Sequence, residues 1–334
     1  MKNRERVLTA LVHKQPDKVP YNIEFTQQAH ANMVEFYGDP DFVSKMGNCL
    51  NVVRSRPLGG WKEIEPDIWV DDFGVLWNRS VDKDIGTVWN QLVTPENVHS
   101  LPFPDPDAPQ RFAAVEAAVK DKGDQVVLYN LGFSLFERAW VLAGMENLLM
   151  AMLTNPKFAH ALLDRILEWN LRVIEHVCAL DIDILLTGDD WGMQTGLLMG
   201  PKLWREFIKP RIRQMYALTK SRGKYVAIHS CGKVDELFPE LIECGVDIFN
   251  PFQPEVMDVF DVKRRYGDRL SFYGGISIQR TLPHGTVDQV REEVKRLLDQ
   301  IGRNGGYIAG PSHEVPRDAK PENLAAMIEV LQDQ

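Results

Sequence analysis

The chain has 334 residues, 44% apolar and 25% charged, a composition ordinary for a globular protein able to bury a large core without staples. Its formal charge of −9 comes from interspersed acids and bases. No basic stripe is present to track a phosphate backbone, so nucleic acid is excluded as a partner. No stretch has the apolar length needed for a helix to span a bilayer, so no membrane partner is expected. The opening MKNRERVLTALVHKQPDKVP is charged throughout and lacks the apolar centre of a signal peptide. Cysteines at 49, 178, 231 and 244 form no CxxC pair, so the expected compartment is the reducing cytoplasm.

In chain order, a first strand is predicted at Val19–Phe25 and a weaker one at Cys49–Val53. The Pro-rich segment Leu101–Pro109 reads as a surface connection, not a domain boundary. Short apolar runs rich in β-branched or aromatic residues follow at Val126–Asn130, Ile182–Leu186, Tyr225–His229, Val246–Phe249, Leu270–Tyr273 and Tyr307–Ala309. Helices fill the gaps. Asn155 and Pro156 open one as cap and first-turn proline, ahead of a stripe of Phe158, Leu162, Leu163, Ile166, Leu167 and Val173. Thr286 and Gln289 form a capping box before Val290, Val294, Leu297, Leu298 and Ile301, with Gly302 as the stop. About eight strands alternating with helices predict a single-domain (β/α)₈ barrel over residues 1–334. The alternative is an open doubly wound sheet, but no GxGxxG turn follows the first strand.

Polar groups gather just after the predicted strands, which is where a barrel has its mouth. They include Glu24, Asn130, the run Gly188-Asp189-Asp190-Trp191, the run His229-Ser230-Cys231-Gly232, Asn250 to Gln253, and Gly310 to Glu314. Residues i and i+2 leaving a strand point the same way, so His229 and Cys231 can reach one ion. Imidazole with thiolate suits zinc, and a catalytic zinc needs three protein ligands and an open position. His313 is the leading third ligand, with the carboxylates of Glu24 and Glu314 as competitors. Alone, His-x-Cys also fits a buried histidine beside a small apolar cysteine, and His313 also fits an exposed loop residue. Cys178 and Cys244 fall on helical patterns and read as core. Asp189 and Asp190 are candidate ligands, acid/base groups or helix-entry acids. Asn130, Asn250, Gln253, Trp191 and Tyr273 are candidate substrate contacts, with Phe133 and Phe252 as further aromatic wall.

The runs DILLTGDDWGMQTGLLMGPKLWREFIKPRIRQ, AIHSCGKVDELFPELIECGVDIFNPFQPE and GGYIAGPSHEVPRDAKPENLAAM resemble the uroporphyrinogen decarboxylase superfamily, as does the opening RERVLTALVHKQPDKVP. The resemblance covers about Asn130 to the C-terminus and implies a barrel with its site at the strand C-termini. It also implies a choice between branches. The decarboxylases carry an Arg-Gln-Ala-Gly-Arg stretch that grips substrate propionates, whereas here the region after Val19-Pro20 reads YNIEFTQQAH, without arginine. Unpaired carboxylates in a dry pocket are costly, which disfavours that substrate. The zinc methyltransferase branch carries His-x-Cys and a tail cysteine near a PGCGxPPxTPxEN pattern. His229 and Cys231 match the first part. Counting back from Glu322-Asn323, the cysteine position holds His313, a departure that keeps a zinc ligand.

Two imidazoles and one thiolate leave the dication at net +1, a better Lewis acid than a two-thiolate site. The resemblance therefore implies methyl transfer between a small methylated substrate, favouring a methoxy-type donor, and the cobalt of a corrinoid. Glu24, Asp189 or Glu314 would protonate the leaving oxygen. The chain has no Asp-x-His-x-x-Gly anchor, so the corrinoid is expected on a separate protein. The alternatives are a metal-free decarboxylase and a non-catalytic corrinoid or small-ligand binding protein. A homodimer is left open.

Overall fold

The computed structural model describes residues 1–54 and 60–334. Seven parallel strands form one sheet. They are β1 (Leu50–Arg54), β2 (Val126–Phe133), β3 (Ile184–Gly188), β4 (Tyr225–His229), β5 (Ile248–Phe252), β6 (Ser271–Ile276) and β7 (Tyr307–Pro311), adjacent in sequence order. Helices occupy the crossovers, from Ala113–Lys120 before β2 to Val287–Gln300 before β7. This is the (β/α)₈ architecture expected from the strand–helix rhythm. Asn155 caps its helix at the Phe158 N–H, and Thr286 and Gln289 form the expected capping box.

The eighth stave differs from a regular strand. Val19–Phe25 pairs with β7 through isolated bridges, Tyr21 to Ala309 and Phe25 to Val315 at the turn beyond it. On the other side, the Cys49 N–H donates to Tyr21 O at 2.9 Å. The Asn48 side chain then completes the seam, accepting from Ile23 N and donating to Ile23 O, each at 3.0 Å. A side-chain amide thus stands in for backbone pairing at Ile23.

Alternation along the strands sorts the core into two layers. Leu50, Val126, Leu128, Ile184, Leu186, Ala227, Ile248 and Ile308 fill the barrel interior, while a larger cluster packs between strands and helices. Val7 and Leu11 of the first helix, Asn3–Leu11, join the interior cluster. Arg4 on that helix pairs with the buried carboxylate of Asp183 at 2.6 Å. This end of the barrel is plugged. The opposite end, where the strands finish, is open to a cavity. No helix of the described residues is long and apolar enough to cross a membrane.

One element was not anticipated. Between β1 and β2 the chain builds an antiparallel four-stranded sheet from Lys62–Glu65, Ile68–Val70, Leu76–Asn78 and Thr87–Val88. It walls one side of the cavity with Trp61, Phe73 and Trp77. Asp71 latches it to the barrel. Its carboxylate accepts from the N–H groups of Phe73 and Val75, from the Trp77 indole at 3.3 Å, and from Arg138 at 3.1 Å. Arg138 lies on the helix Phe136–Ala143 that follows β2. Asp71→Ala would orphan four donors and leave a half-buried guanidinium unpaired, so it should cost about 3–5 kcal/mol of stability. Urea titration checks this: the midpoint should fall with the slope unchanged.

Candidate functional site

Strand register assembles the top layer of the barrel. Arg54 lies opposite Asn130, and His229 lies between Gly188 and Asn250. All five line a cavity of about 930 Å³ that opens at the strand C-termini. The bare Cα of Gly188 is required, because a methyl there would meet the backbone O of Gly132 at 2.9 Å.

Ligand atoms of His229, Cys231 and His313 all lie within 4.8 Å of one another. Cys231 Sγ is 3.4 Å from His229 Nε2. Donors around a tetrahedral zinc with bonds of about 2.0–2.3 Å lie roughly 3.3–3.8 Å apart, so the set needs only slight contraction to close on an ion. The His229 tautomer follows from its neighbours. Asn250 Nδ2 donates to Tyr273 O at 3.1 Å, which turns Asn250 Oδ1 toward His229 Nδ1 at 2.6 Å. Nδ1 therefore carries the proton and Nε2 presents its lone pair to the site. His313 is arranged differently. Its Nδ1 accepts from the Glu314 N–H at 2.8 Å, and no hydrogen bond from the ring to an acceptor is found among the described residues. The acceptor usual behind a metal-bound histidine is present for His229 alone.

Cys231 is positioned by a close backbone approach. Gly232 has φ +84°, and a methyl on it would collide with Gly192. The Lys233 N–H donates to Met193 O at 2.8 Å, and Gln253 Oε1 accepts from the Gly232 N–H at 2.8 Å. Burial pushes the Cys231 thiol up, with Asp190 and Glu137 adding to it, so the sulfur holds its proton until a cation arrives. Burial and the neighbouring His229 push His313 down to about 4, so it is neutral at pH 7. With Nδ1 accepting from the Glu314 N–H its Nε2 carries the proton, and ligating a cation requires that bond to open or the tautomer to switch. The donor set thus fits a borderline-soft divalent cation.

The other sequence candidates separate into two groups. Glu24, Asn130, Asp190, Asn250, Tyr273, Glu314 and Phe133 line the cavity. Asp190 Oδ1 accepts from the Cys231 N–H at 2.8 Å and lies 3.9 Å from His229 Nε2. Glu24 and Glu314 both contact the Arg54 guanidinium. Asp189, Trp191, Gln253 and Phe252 lie behind the wall, which corrects their expected place at the mouth. Asp189 is fully buried and accepts from Leu135 N, Glu137 N and Trp191 Nε1. Trp191 packs edge-on against Trp204, and Phe252 stacks on Phe272. These side chains support the loops that carry Asp190 and Cys231.

The structure also adds residues that sequence reasoning did not find. Arg54, Arg79, Arg111 and Arg138 line the cavity, so it is not free of arginine, although none comes from the stretch after Pro20. Three of them already face acids: Arg54 with Glu24 and Glu314, Arg111 with Asp72, and Arg138 with Asp71. Arg79 instead lies over the faces of Trp61 and Trp69. Glu137, buried on the cavity wall, is held well above the usual carboxylate range by burial and then by Asp190 and Asp189. The signal for Arg54 was one residue beyond the predicted end of its strand; Glu137 carried none, since a first-turn helix acid is common.

A parallel barrel with a cation-competent triad at its open end defines the class of protein. A family model described as uroporphyrinogen decarboxylase (URO-D) matches residues 79–334, and the chain belongs to that family. Among its relatives is a uroporphyrinogen decarboxylase of Methylococcus capsulatus, 26% identical over 251 residues, covering 71% of this chain and 68% of the relative. A methylated-thiol–coenzyme M methyltransferase of Methanosarcina mazei is 25% identical over 198 residues, 59% of this chain and 51% of that protein. The solved structure of a methyltransferase from Methanosarcina mazei superposes with a TM-score of 0.74, covering 100% of this chain and 99% of that one at 17% identity, which shows a shared fold.

Zinc added to metal-free protein at pH 7 should release about one proton per ion, from Cys231 and not from the already neutral His313. A pH indicator reads this directly. Cys231→Ser should lose both zinc uptake and proton release while keeping the fold. Asn250→Ala should weaken zinc about 10–100-fold by freeing the His229 ring; full affinity in a chelator competition would contradict it.

Proposed function

We propose that this protein is a zinc-dependent methyltransferase that moves a methyl group between a small methylated substrate and the cobalt of a corrinoid on a separate protein. The observation that carries the reading is the His229, Cys231 and His313 cluster, with Asn250 setting the His229 tautomer, at the open end of the barrel. Methyltransferase names among the relatives support it. Zinc held there would act as a Lewis acid on the leaving heteroatom of the methyl donor, and two neutral imidazoles favour an oxygen, hence a methoxy-type compound.

The remaining groups divide the work. Phe133, Trp61 and Trp77 give the donor an apolar wall, with Phe133 and Trp77 stacked at 5.6 Å. Glu137 is the proton donor best suited to the leaving oxygen, because burial and the neighbouring Asp190 and Asp189 hold its carboxyl well above the usual carboxylate range. Glu24 and Glu314 are less suited, since both spend an oxygen on Arg54.

Relatives named as uroporphyrinogen decarboxylases support a second reading, decarboxylation of a carboxylate substrate. Against it, three of the four cavity arginines are occupied by the protein's own acids, and carboxyl groups outnumber guanidinium groups on the described walls. A polyanion would enter against that balance.

The test is single-turnover methyl transfer from a methoxylated donor to a reduced corrinoid protein, followed by the methylcobalt absorption band. Glu137→Gln should slow transfer about 10²–10⁴-fold while keeping zinc. Uroporphyrinogen should give no coproporphyrinogen; formation at an enzymatic rate establishes the second reading instead.

A further inference from the structure

The top of the barrel's closing seam is held by side chains. Between β1 and the 19–25 segment, the bonds at Tyr21 and Ile23 lie toward the plugged end, and no backbone hydrogen bond joins the two above Ile23 among the described residues. Across that gap Arg54 Nη2 contacts Glu24 Oε2 at 2.5 Å and, on its other side, Glu314 Oε1. Arg54 ends β1, Glu24 belongs to the irregular stave, and Glu314 sits in the turn after β7. One nitrogen therefore joins three separate chain segments.

That turn carries His313. It is pinned to the irregular stave by the bonds Val315 N to Glu24 O at 2.8 Å and Thr26 N to Val315 O at 3.1 Å. The His313 ring is held from the same place, through the Glu314 N–H on its Nδ1. Tyr273 Oη accepts from Asn22 and reaches Glu24 Oε1 at 3.4 Å, which holds the Glu24 carboxylate from below.

We propose that Arg54 is a positioning residue for His313: by bridging Glu24 and Glu314 it clasps the barrel seam and keeps the His313 ring facing His229 and Cys231. Without it, two half-buried carboxylates that now share one nitrogen stand side by side and repel. Glu314 is bonded to the His313 ring through its backbone N–H, so a displacement of Glu314 carries the ring with it. The inference rests on the metal-site reading for its purpose, but the clasp itself is a property of the metal-free chain.

Two measurements test it on the full-length protein. In metal-free protein with ¹³C-labelled histidine, the His313 imidazole signal, assigned with His313→Gln, should shift in Arg54→Met. It should return toward its original position in the triple variant Arg54→Met, Glu24→Gln, Glu314→Gln, where no charges repel. In chelator competition, Arg54→Met should bind zinc about 10–100-fold more weakly, with the triple variant recovering most of the loss. An unmoved His313 signal in folded Arg54→Met overturns the clasp, and so does a shift that the triple variant fails to reverse. Wild-type protein that takes up no zinc overturns the metal reading, while the imidazole signals still decide the clasp.

Discussion

The site depends on the register of three neighbouring strands. β3, β4 and β5 pair so that Gly188, His229 and Asn250 lie in one row at the open end of the barrel. A parallel ladder with period-two side chains makes this all or nothing, since a slip of one residue would turn His229 into the helix layer. The row also assigns roles. Gly188 leaves the space that Glu137 borders, Asn250 sets the His229 tautomer, and the lone pair of His229 faces Cys231.

From that row, polar contacts run around the mouth. Asn250 binds the backbone of Tyr273, whose hydroxyl reaches Glu24. Glu24 shares Arg54 with Glu314, and the Glu314 N–H returns to the His313 ring. His313 thus lies at the far end of a chain that begins at His229, and the histidines meet edge to face at 5.2 Å. Networks of this kind are rigid when every member is satisfied, and they transmit the loss of any one.

The cavity has its charges largely matched within the chain itself. Its arginines are numerous, yet those at Arg54, Arg111 and Arg138 are already matched to acids of the same chain. Those pairs fix walls, joining the inserted sheet to the barrel and closing the seam. What the described residues leave for a ligand is an aromatic wall with Arg79 against it, the buried Glu137 and the cation-competent triad. This combination is the basis of the proposed methyl-donor site.

The sequence by itself determined the barrel, because strand periodicity, capping boxes and terminal Gly or Asn are local signals read within a few residues. It also determined His229 and Cys231 as a pair, since i and i+2 on a strand end face the same way. Its strands stopped too early, at Leu186, Phe249 and Tyr273, because Gly, Asn and Pro read as breakers while the neighbouring ladders carry pairing further. The antiparallel sheet after β1 was missed, since Lys62–Glu65 is exposed throughout and shows no apolar alternation. Only the tertiary structure decided that Asp189, Trp191 and Gln253 support the wall from behind while Asp190 faces the cavity. Only it brought Arg54 between Glu24 and Glu314, 30 and 260 residues away along the chain. Local patterns specify which way a side chain points from its own element. What it meets there depends on how the sheet closes, and closure is a sum over contacts that no short stretch of chain contains.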